Sequence, residues 1–173
     1  MHHQDSNMTT NPSEELVEIV DQDNTPLGAV TRAIMRQQNL IHRASYVLVF
    51  NRKGELFIQK RTLTKDIYPG YWDLAAGGVV LAGETYMESA LRELQEELGV
   101  TGIQLRHLFD QFYEDAHNRV WGRVYSCASE GPFSLQAEEV AYGRFIALPQ
   151  IQSLHEIEPV TPDGLALLSR LPH

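Results

Sequence analysis

Apolar residues alternate with polar ones in residues 16–20, a pattern that predicts a half-buried β-strand. The polar turn 21–24 separates this run from a second strand pattern at 27–31, so we expect a small N-terminal β-hairpin. Residues 31–38 change to a helical pattern, and Thr31 is a suitable N-cap residue for a short helix there.

A second hairpin is predicted at residues 44–60. The strand patterns 44–50 and 55–60 flank Asn51-Arg52-Lys53-Gly54, whose composition is typical of a hairpin turn. Further strand patterns follow at 72–76, 103–114, 120–127 and 142–148, and helical pieces at 149–154 and 162–171. Strands that frame one strong helix and end in further helices predict a mixed β-sheet packed between helices, in the α/β class.

The strongest helical pattern covers residues 85–98, which contain neither proline nor glycine. Gly83 precedes this run and Gly99 follows it, as expected of residues that flank a helix. Apolar residues at helical spacing predict the buried stripe of this helix: Met87, Ala90, Leu91, Leu94 and Leu98.

Three carboxylates, Glu93, Glu96 and Glu97, occupy positions i, i+3 and i+4 of this helix and therefore one face. Close carboxylates repel one another unless a cation lies among them, and oxygen-only ligands suit Mg²⁺ or Mn²⁺. The pattern indicates a divalent-metal site. The alternative is an acidic helix face that contacts only solvent, which is the commoner role of charge runs.

Composition restricts the classes of fold and partner. A chain of 173 residues with 43% hydrophobic content can form one core, so we expect a single domain at 15–173 after a disordered tail at 1–14. The formal net charge of −9 argues against a nucleic-acid partner, because phosphate backbones bind clustered lysine and arginine. A small anionic substrate remains compatible, since bound metal ions reverse the local charge.

The chain lacks the patterns of membrane insertion and of disulfide scaffolds. No apolar run approaches the roughly 18 residues of a membrane span, and the N-terminus lacks the basic-then-apolar pattern of a signal peptide. Cys127 is the only cysteine, which excludes an intrachain disulfide framework and a cysteine-rich zinc site. We therefore expect a protein of the reducing cytoplasm with no membrane partner.

A longer pattern of fixed spacing covers residues 78–100. It consists of Gly78, five residues, Glu84, seven residues, and then Arg92-Glu93-Leu94-Gln95-Glu96-Glu97-Leu98-Gly99-Val100. At every specified position this pattern resembles the Nudix box of the Nudix hydrolases, G-x5-E-x7-R-E-U-x-E-E-x-G-U, where U is aliphatic. So many fixed positions at fixed spacing make a chance match improbable.

The resemblance implies a Nudix-type α/β/α sandwich and an enzyme that needs divalent metal. Its substrate would be a nucleoside diphosphate linked to another group, or a related small diphosphate. The implied metal ligands are Glu93, Glu96 and Glu97, and the base on the attacking water is one of them or a glutamate of a later loop. Glu139 lies where such a later glutamate is found, so it is a further candidate ligand, with an ordinary solvated residue as the alternative.

The box also implies positioning and substrate-binding residues. Arg92 is similar to the arginine that orients the carboxylates, and Glu88, one helical turn earlier, is placed to pair with it. Gly77 and Gly78 resemble loop glycines that let the backbone approach a phosphate.

Residues 17–100 are also similar to isopentenyl-diphosphate isomerase and its hydrolase relatives. The matching stretches include His42-Arg43-Ala44, Gln59-Lys60-Arg61 and Pro69-Gly70-Tyr71-Trp72. In that isomerase an arginine and a lysine at the spacing of Arg61 and Lys65 contact the diphosphate. We therefore expect Arg61 and Lys65 to contact the substrate, with two surface charges after a strand as the alternative.

The chain departs from the isomerase at that enzyme's catalytic positions. Gly77 replaces the catalytic cysteine, Val79 and Met35 replace two metal-binding histidines, and residues 117–119 replace an acidic motif. Moving a proton between carbon atoms needs an acid on one face and a base on the other, so hydrolysis is the favoured activity. His42 matches the remaining histidine and is either a leftover ligand or a structural residue.

Three functions remain open after the sequence is considered. The main hypothesis is a metal-dependent diphosphate hydrolase; the alternatives are isomerase-like activity and a Nudix-fold module that binds a nucleotide without turnover. The complete set of box carboxylates argues against a module without turnover. The box does not fix the leaving groups, because one scaffold accepts many side pockets. A homodimer is a reasonable expectation for the assembly.

Overall fold

Two antiparallel strands, β1 (Leu16–Val20) and β2 (Pro26–Thr31), form the predicted N-terminal hairpin. The computed structural model describes residues 11–172, so most of the predicted tail lies outside the described residues, while Pro12–Glu14 form a short 3-10 helix. Helix α1 (Arg32–Gln38) follows β2 directly. The Thr31 hydroxyl caps it by accepting a hydrogen bond from the Ile34 backbone N–H, as predicted.

The other elements follow in chain order: seven strands, which with β1 and β2 form one nine-stranded sheet in the described residues, and three helices. They are β3 (His42–Phe50), β4 (Leu56–Arg61), β5 (Trp72–Asp73), β6 (Ala76–Val79), α2 (Tyr86–Leu98), β7 (Arg106–Glu114), β8 (Arg119–Ala128), β9 (Val140–Ile146), α3 (Gln150–His155) and α4 (Pro162–Leu168).

β3 is the strand around which the sheet is arranged. It pairs in parallel with β8 along its whole length, from His42–Val120 to Phe50–Ala128, and antiparallel with β6. β8 also pairs with β7, and β4 pairs with both β5 and β9, all antiparallel. The sheet is therefore mixed, as the sequence predicts.

Alternating side chains of β3 face two separate apolar layers. Val47 and Val49 pack in the layer that includes Ala90 and Leu94 of α2. Leu48 faces the other way, into a layer that includes residues of α3 and α4. Because successive strand residues point to opposite faces, one strand holds a helix layer on each side, which gives the predicted α/β/α sandwich.

Two details differ from the predicted elements. The strand pattern at 72–76 is divided between β5 and β6, because Leu74 and Ala75 leave the sheet between them. In α2, Met87 and Leu91 are 39% and 41% exposed rather than buried. The face that packs on the sheet includes Tyr86 and Glu97 instead. No helix in the described part of the chain is long and apolar enough to cross a membrane.

Candidate functional site

Helix α2 is fixed at both ends by local sequence. At its start Thr85 and Glu88 form a capping box, in which each side chain accepts a hydrogen bond from the other residue's backbone N–H. At its end Gly99 has a left-handed φ of 69°, which glycine adopts without strain. The prediction that Glu88 pairs with Arg92 is therefore wrong, because the Glu88 carboxylate caps the helix.

Arg92 is the centre of a carboxylate network on α2. Its Nε and Nη2 bind both oxygens of Glu84, at 2.6 and 3.0 Å, while Nη1 contacts Glu93 at 2.9 Å and Glu96 at 3.2 Å. This two-pronged pairing holds the pKa of Glu84 below its ordinary range although burial acts in the opposite direction. Arg92 thus orients the box carboxylates, with Glu84 as its anchor.

Glu97 is the most enclosed of the three predicted ligands, with 6% of the residue exposed. Its Oε2 accepts hydrogen bonds from Gln59 Nε2 at 2.9 Å and from the Gly77 backbone N–H at 3.2 Å. Burial, followed by the nearby charge of Glu93, raises the pKa of Glu97 well above its ordinary value. Among the described residues, no lysine or arginine forms an ion pair with this carboxylate.

Glu93 lies against the glycine pair of β6. Burial raises the pKa of Glu93; contact with Arg92 opposes this effect and the charge of Glu96 reinforces it. A Cβ atom at Gly78 would lie 2.9 Å from Glu93 Oε1, and a Cβ atom at Gly77 would lie 2.0 Å from the Ser45 carbonyl oxygen. Both glycines belong to a paired strand rather than to the predicted loop, and close packing accounts for their small size.

Glu139 reaches the same region from the segment before β9. That segment is tied to the end of α2, because Gln136 N–H donates to the Glu97 carbonyl at 3.0 Å and Ser134 N–H donates to the Leu98 carbonyl at 2.9 Å. The Glu139 carboxylate forms an ion pair with Lys65. Two residues predicted on separate grounds, a ligand and a substrate contact, are thus in direct contact.

These side chains line one open cleft of about 500 Å³. Its charged lining comprises Glu15, Asp66, Glu93, Glu96, Glu97, Glu138 and Glu139, together with Arg32, Arg36, Lys65 and Arg92. The backbones of Gly77 and Gly78 complete the wall near Glu93 and Glu97. The cleft therefore contains every predicted site residue except Arg61.

Arg61 has its guanidinium occupied by protein groups. Nη1 donates to Asp73 Oδ2 at 2.7 Å, while Nε and Nη2 donate to the Ile67 carbonyl at 3.1 and 2.9 Å. The residue lines a smaller recess that adjoins the cleft. In this arrangement Arg61 braces the 62–71 loop, and its contact with substrate stays a prediction.

The donor atoms of the cleft are hard carboxylate oxygens, the type that Mg²⁺ and Mn²⁺ prefer. Within residues 11–172, no three histidine, cysteine, aspartate or glutamate side chains converge into a closed metal-binding group. Glu93 and Glu96 are instead directed toward Arg92. Arg92 contacts one oxygen of each carboxylate, Glu93 Oε1 and Glu96 Oε2, so Glu93 Oε2 and Glu96 Oε1 would be the atoms that bind an ion beside Glu97.

His42 is a buried, neutral residue beside the cleft. Its Nδ1 lies 3.0 Å from the Leu40 carbonyl, and burial, assisted by the charges of Arg36 and Arg32, lowers the His42 pKa to about 3. Met35 and Val79, which occupy the two other histidine positions of the isomerase pattern, pack together in an apolar cluster. Neither Met35 nor Val79 can supply a second nitrogen ligand beside His42.

Sequence reasoning missed two features of the site. The pairing of Glu84 with Arg92 could have been inferred from the box, which fixes both residues. Arg32 and Arg36, which line the cleft from α1, had only one signal, their i and i+4 spacing on a predicted helix.

The chain is similar to proteins of one family along most of its length. Residues 40–168 match the model of the NUDIX domain. An uncharacterised Nudix hydrolase of Pseudomonas aeruginosa is 48% identical over 158 residues, which cover 89% of this chain and 91% of that protein. The uncharacterised Nudix hydrolase YfcD of Escherichia coli K12 is 41% identical over 157 residues, covering 91% of this chain and 86% of that protein.

Solved structures agree with the fold. The crystal structure of DR0079 from Deinococcus radiodurans superimposes with a TM-score of 0.81 at 23% identity, covering 92% of this chain and all of that one. The NUDIX domain of Shewanella oneidensis NrtR, solved in complex with ADP ribose, gives a TM-score of 0.59 at 18% identity, covering 73% of this chain and 83% of that one.

Proposed function

The chain belongs to the Nudix hydrolase family, and we propose that it cleaves the diphosphate bond of a nucleoside diphosphate derivative, or of a related small diphosphate, with Mg²⁺ or Mn²⁺ as cofactor. The substrate is a small molecule that enters the cleft between α2, α1 and the 62–71 loop.

The enclosed Glu97 carboxylate is the observation that carries this proposal. It is buried beside Glu93, its pKa is raised well above the ordinary value, and among the described residues its partners are neutral donors. A pair of close carboxylates without a cation is unfavourable in the folded protein. A divalent ion among Glu93, Glu96 and Glu97, with Glu139 as a further ligand, removes this cost.

When bound, the metal would polarise the diphosphate, neutralise its charge and acidify the attacking water. The chain supplies the orientation. Gln59 and the Gly77 N–H hold one oxygen of Glu97, and Arg92 holds Glu93. A box glutamate or Glu139 accepts the proton of the attacking water.

Lys65 is the chain's predicted contact to the diphosphate. Its ammonium lies on Glu139, so the same charge can move to phosphate oxygens when a substrate occupies the cleft. The contact between Lys65 and Glu139 supports a phosphate contact and an additional carboxylate that act at the same bond.

An isomerase activity finds less support. Gly77 lacks a side chain, Val79 and Met35 are apolar and buried, and His42 is neutral at physiological pH. The resemblance of residues 17–100 to isopentenyl-diphosphate isomerase is then a resemblance of scaffold. A binding module without turnover is disfavoured because Glu93, Glu96 and Glu97 are all present in the cleft.

A panel of diphosphates tests the proposal. Nucleoside diphosphate derivatives and isopentenyl diphosphate are incubated with the full chain and Mg²⁺ or Mn²⁺, and phosphate or nucleotide release is measured. We expect hydrolysis that stops with a chelator and returns with added metal, and no deuterium uptake into isopentenyl diphosphate in heavy water. Turnover that survives exhaustive chelation would contradict the metal mechanism, and deuterium uptake would support the isomerase hypothesis instead.

A further inference from the structure

Two arginines of α1, Arg32 and Arg36, have no assigned role in the proposed reaction. They are four residues apart on a helix and therefore share one face, and both line the cleft that contains Glu93 and Glu97. They also line the adjoining recess beside His42 and Gly77. Their position at the junction of two cavities is unusual for arginines that serve only as surface charges.

Within the part of the chain that the structure describes, most hydrogen-bond donors of Arg32 and Arg36 have no acceptor. Arg32 donates one side-chain bond, from Nη2 to Glu15 at 3.2 Å, and Arg36 donates one, from Nε to Asp66 at 3.0 Å. A guanidinium has five N–H donors. Arg32 Nε is buried and has no hydrogen-bond partner among the described residues. A buried donor without an acceptor is costly, so a rearrangement of the Arg32 side chain that gives this donor an acceptor would be favoured.

The pKa values of two neighbouring groups reflect the positive charges of Arg32 and Arg36. Burial is the largest cause of the low pKa of His42, and Arg36 and Arg32 lower it further. Burial would raise the pKa of Asp66, yet Arg36, Arg32 and Lys65 keep that pKa below its ordinary range. The α1 side of the cleft therefore holds cations that are paired with Glu15 and Asp66, whereas the α2 side is rich in carboxylates.

Of the two cations expected from sequence, Arg61 and Lys65, only Lys65 lines the cleft. The Arg61 guanidinium donates its hydrogen bonds to Asp73 and to the Ile67 carbonyl, and Arg61 does not line the cleft. Arg32 and Arg36 line the cleft and, within residues 11–172, have N–H donors that no side chain or carbonyl accepts. Both suit phosphate, because the planar guanidinium binds two phosphate oxygens at once.

We propose that Arg32 and Arg36, with Lys65, form an anion-binding wall that holds a phosphate group of the diphosphate substrate while the α2 carboxylates hold the metal. The inference rests on the proposed function and adds the residues that select a diphosphate. Glu15 and Asp66 occupy these arginines when the cleft holds no anion. Phosphate oxygens replace them on binding.

Binding of methylenediphosphonate, whose carbon bridge cannot be hydrolysed, tests this wall without turnover. Calorimetric titration of the full chain with Mg²⁺ would compare the wild type with Arg32→Gln, Arg36→Gln and the double variant. We expect each single change to weaken binding about tenfold or more, as for a hydrogen bond to a charged group. Arg119→Gln is the matched control, because Arg119 forms an ion pair of the same 3.2 Å length with Glu114 but does not line the cleft.

Asp66→Asn distinguishes anion binding from a structural ion pair. If Arg36 exchanges Asp66 for phosphate, removing that competing carboxylate tightens binding by about two- to fivefold. If the pair is only structural, Asp66→Asn leaves the affinity unchanged or weakens it. Arg36→Lys, which keeps the charge, should retain part of the affinity that Arg36→Gln loses.

The outcomes separate this inference from the proposed function. Three results would each contradict the anion-binding wall. They are wild-type affinity in the folded double variant, unchanged affinity in Asp66→Asn, and no binding by the wild type. If the double variant does not fold, Asp66→Asn and Arg36→Lys decide the question. Arginine-dependent binding without hydrolysis of any diphosphate would overturn the proposed function alone, and hydrolysis with arginine-independent binding would overturn the wall alone.

Discussion

The side-chain amide of Gln59 donates a hydrogen bond to Glu97, with 2.9 Å between Nε2 and Oε2. The two residues are 38 positions apart in sequence, and both are buried. The bond opposes the effect of burial on the Glu97 pKa and fixes which oxygen faces the backbone of Gly77. A residue outside the Nudix box therefore positions the most enclosed carboxylate inside it.

Gln59→Leu should impair activity through Glu97 rather than through folding alone. The leucine keeps similar volume but removes the donor, so the Glu97 pKa rises and its carboxylate is free to turn. We expect the acidic limb of the rate profile to move to higher pH, with a fall of roughly tenfold at neutral pH, as for a lost hydrogen bond to a charged group. A lower rate with an unshifted pH profile would make Gln59 a purely structural residue.

Gly78→Ala should act on Glu93. Its new Cβ atom would lie 2.9 Å from Glu93 Oε1, and the flexible carboxylate can move away more easily than the backbone. We expect weaker metal binding and slower turnover with a small change in thermal stability. Combining Gly78→Ala with Glu93→Gln provides the check: a shared mechanism makes the two losses less than additive, and full additivity would show that Gly78 acts elsewhere.

Lys65→Ala and Arg61→Ala should have different effects, although the sequence predicts that both residues contact the substrate. Lys65 contacts Glu139 in the cleft, so its loss should raise the Michaelis constant about tenfold. Arg61 braces Asp73 and the Ile67 carbonyl, so its loss should lower the free energy of unfolding by about 1–3 kcal/mol. An unchanged Michaelis constant for Lys65→Ala would leave Lys65 as a surface charge.

How far the sequence predicts the site depends on whether a contact is local. Thr85 and Gly99 flank α2 as expected, because capping depends on residues within a few positions. The spacing of Glu93, Glu96 and Glu97 likewise places them in one cleft. These features follow from helix geometry and need no knowledge of the tertiary fold.

Contacts between distant segments could not be predicted in this way. The role of Gly77 follows from its pairing with β3, where a side chain would collide with the Ser45 carbonyl. Met87 and Leu91 are apolar and at helical spacing, but they lie beside the buried face of α2 rather than on it and stay exposed. The contacts that occupy Arg61 depend on how the 62–71 loop folds back, which no local pattern specifies.

The metal-free protein should lose stability with rising pH because of Glu97. A carboxyl group whose pKa is higher in the folded than in the unfolded chain stabilises the folded protein when it is protonated. This contribution is complete below the pKa of the unfolded chain, which is about 4.3 for glutamate. That contribution is lost as pH rises through the folded pKa. Glu97→Gln should therefore be more stable than the wild type near pH 8, with the advantage shrinking toward about pH 4.

Thermal unfolding of both proteins across pH, with a chelator present, measures this difference. Other carboxyl groups titrate in the same range, so the comparison between variant and wild type isolates Glu97. A stability difference that does not change with pH would mean that the Glu97 carboxylate carries no burial penalty.

The most direct test of the account is the hydrolysis rate of Glu97→Gln beside that of Glu88→Gln. Both changes remove one negative charge from α2 and keep the side-chain shape, but Glu97 lies in the cleft and Glu88 caps the helix. With Mg²⁺ or Mn²⁺ and a diphosphate that the wild type cleaves, Glu97→Gln should be slower by about 10²- to 10⁴-fold. Glu93→Gln and Glu96→Gln should also be slower, while Glu88→Gln should stay near the wild-type rate. Near-normal turnover in all three cleft variants would reduce the carboxylates of α2 to a solvated acidic face and contradict the proposed catalysis.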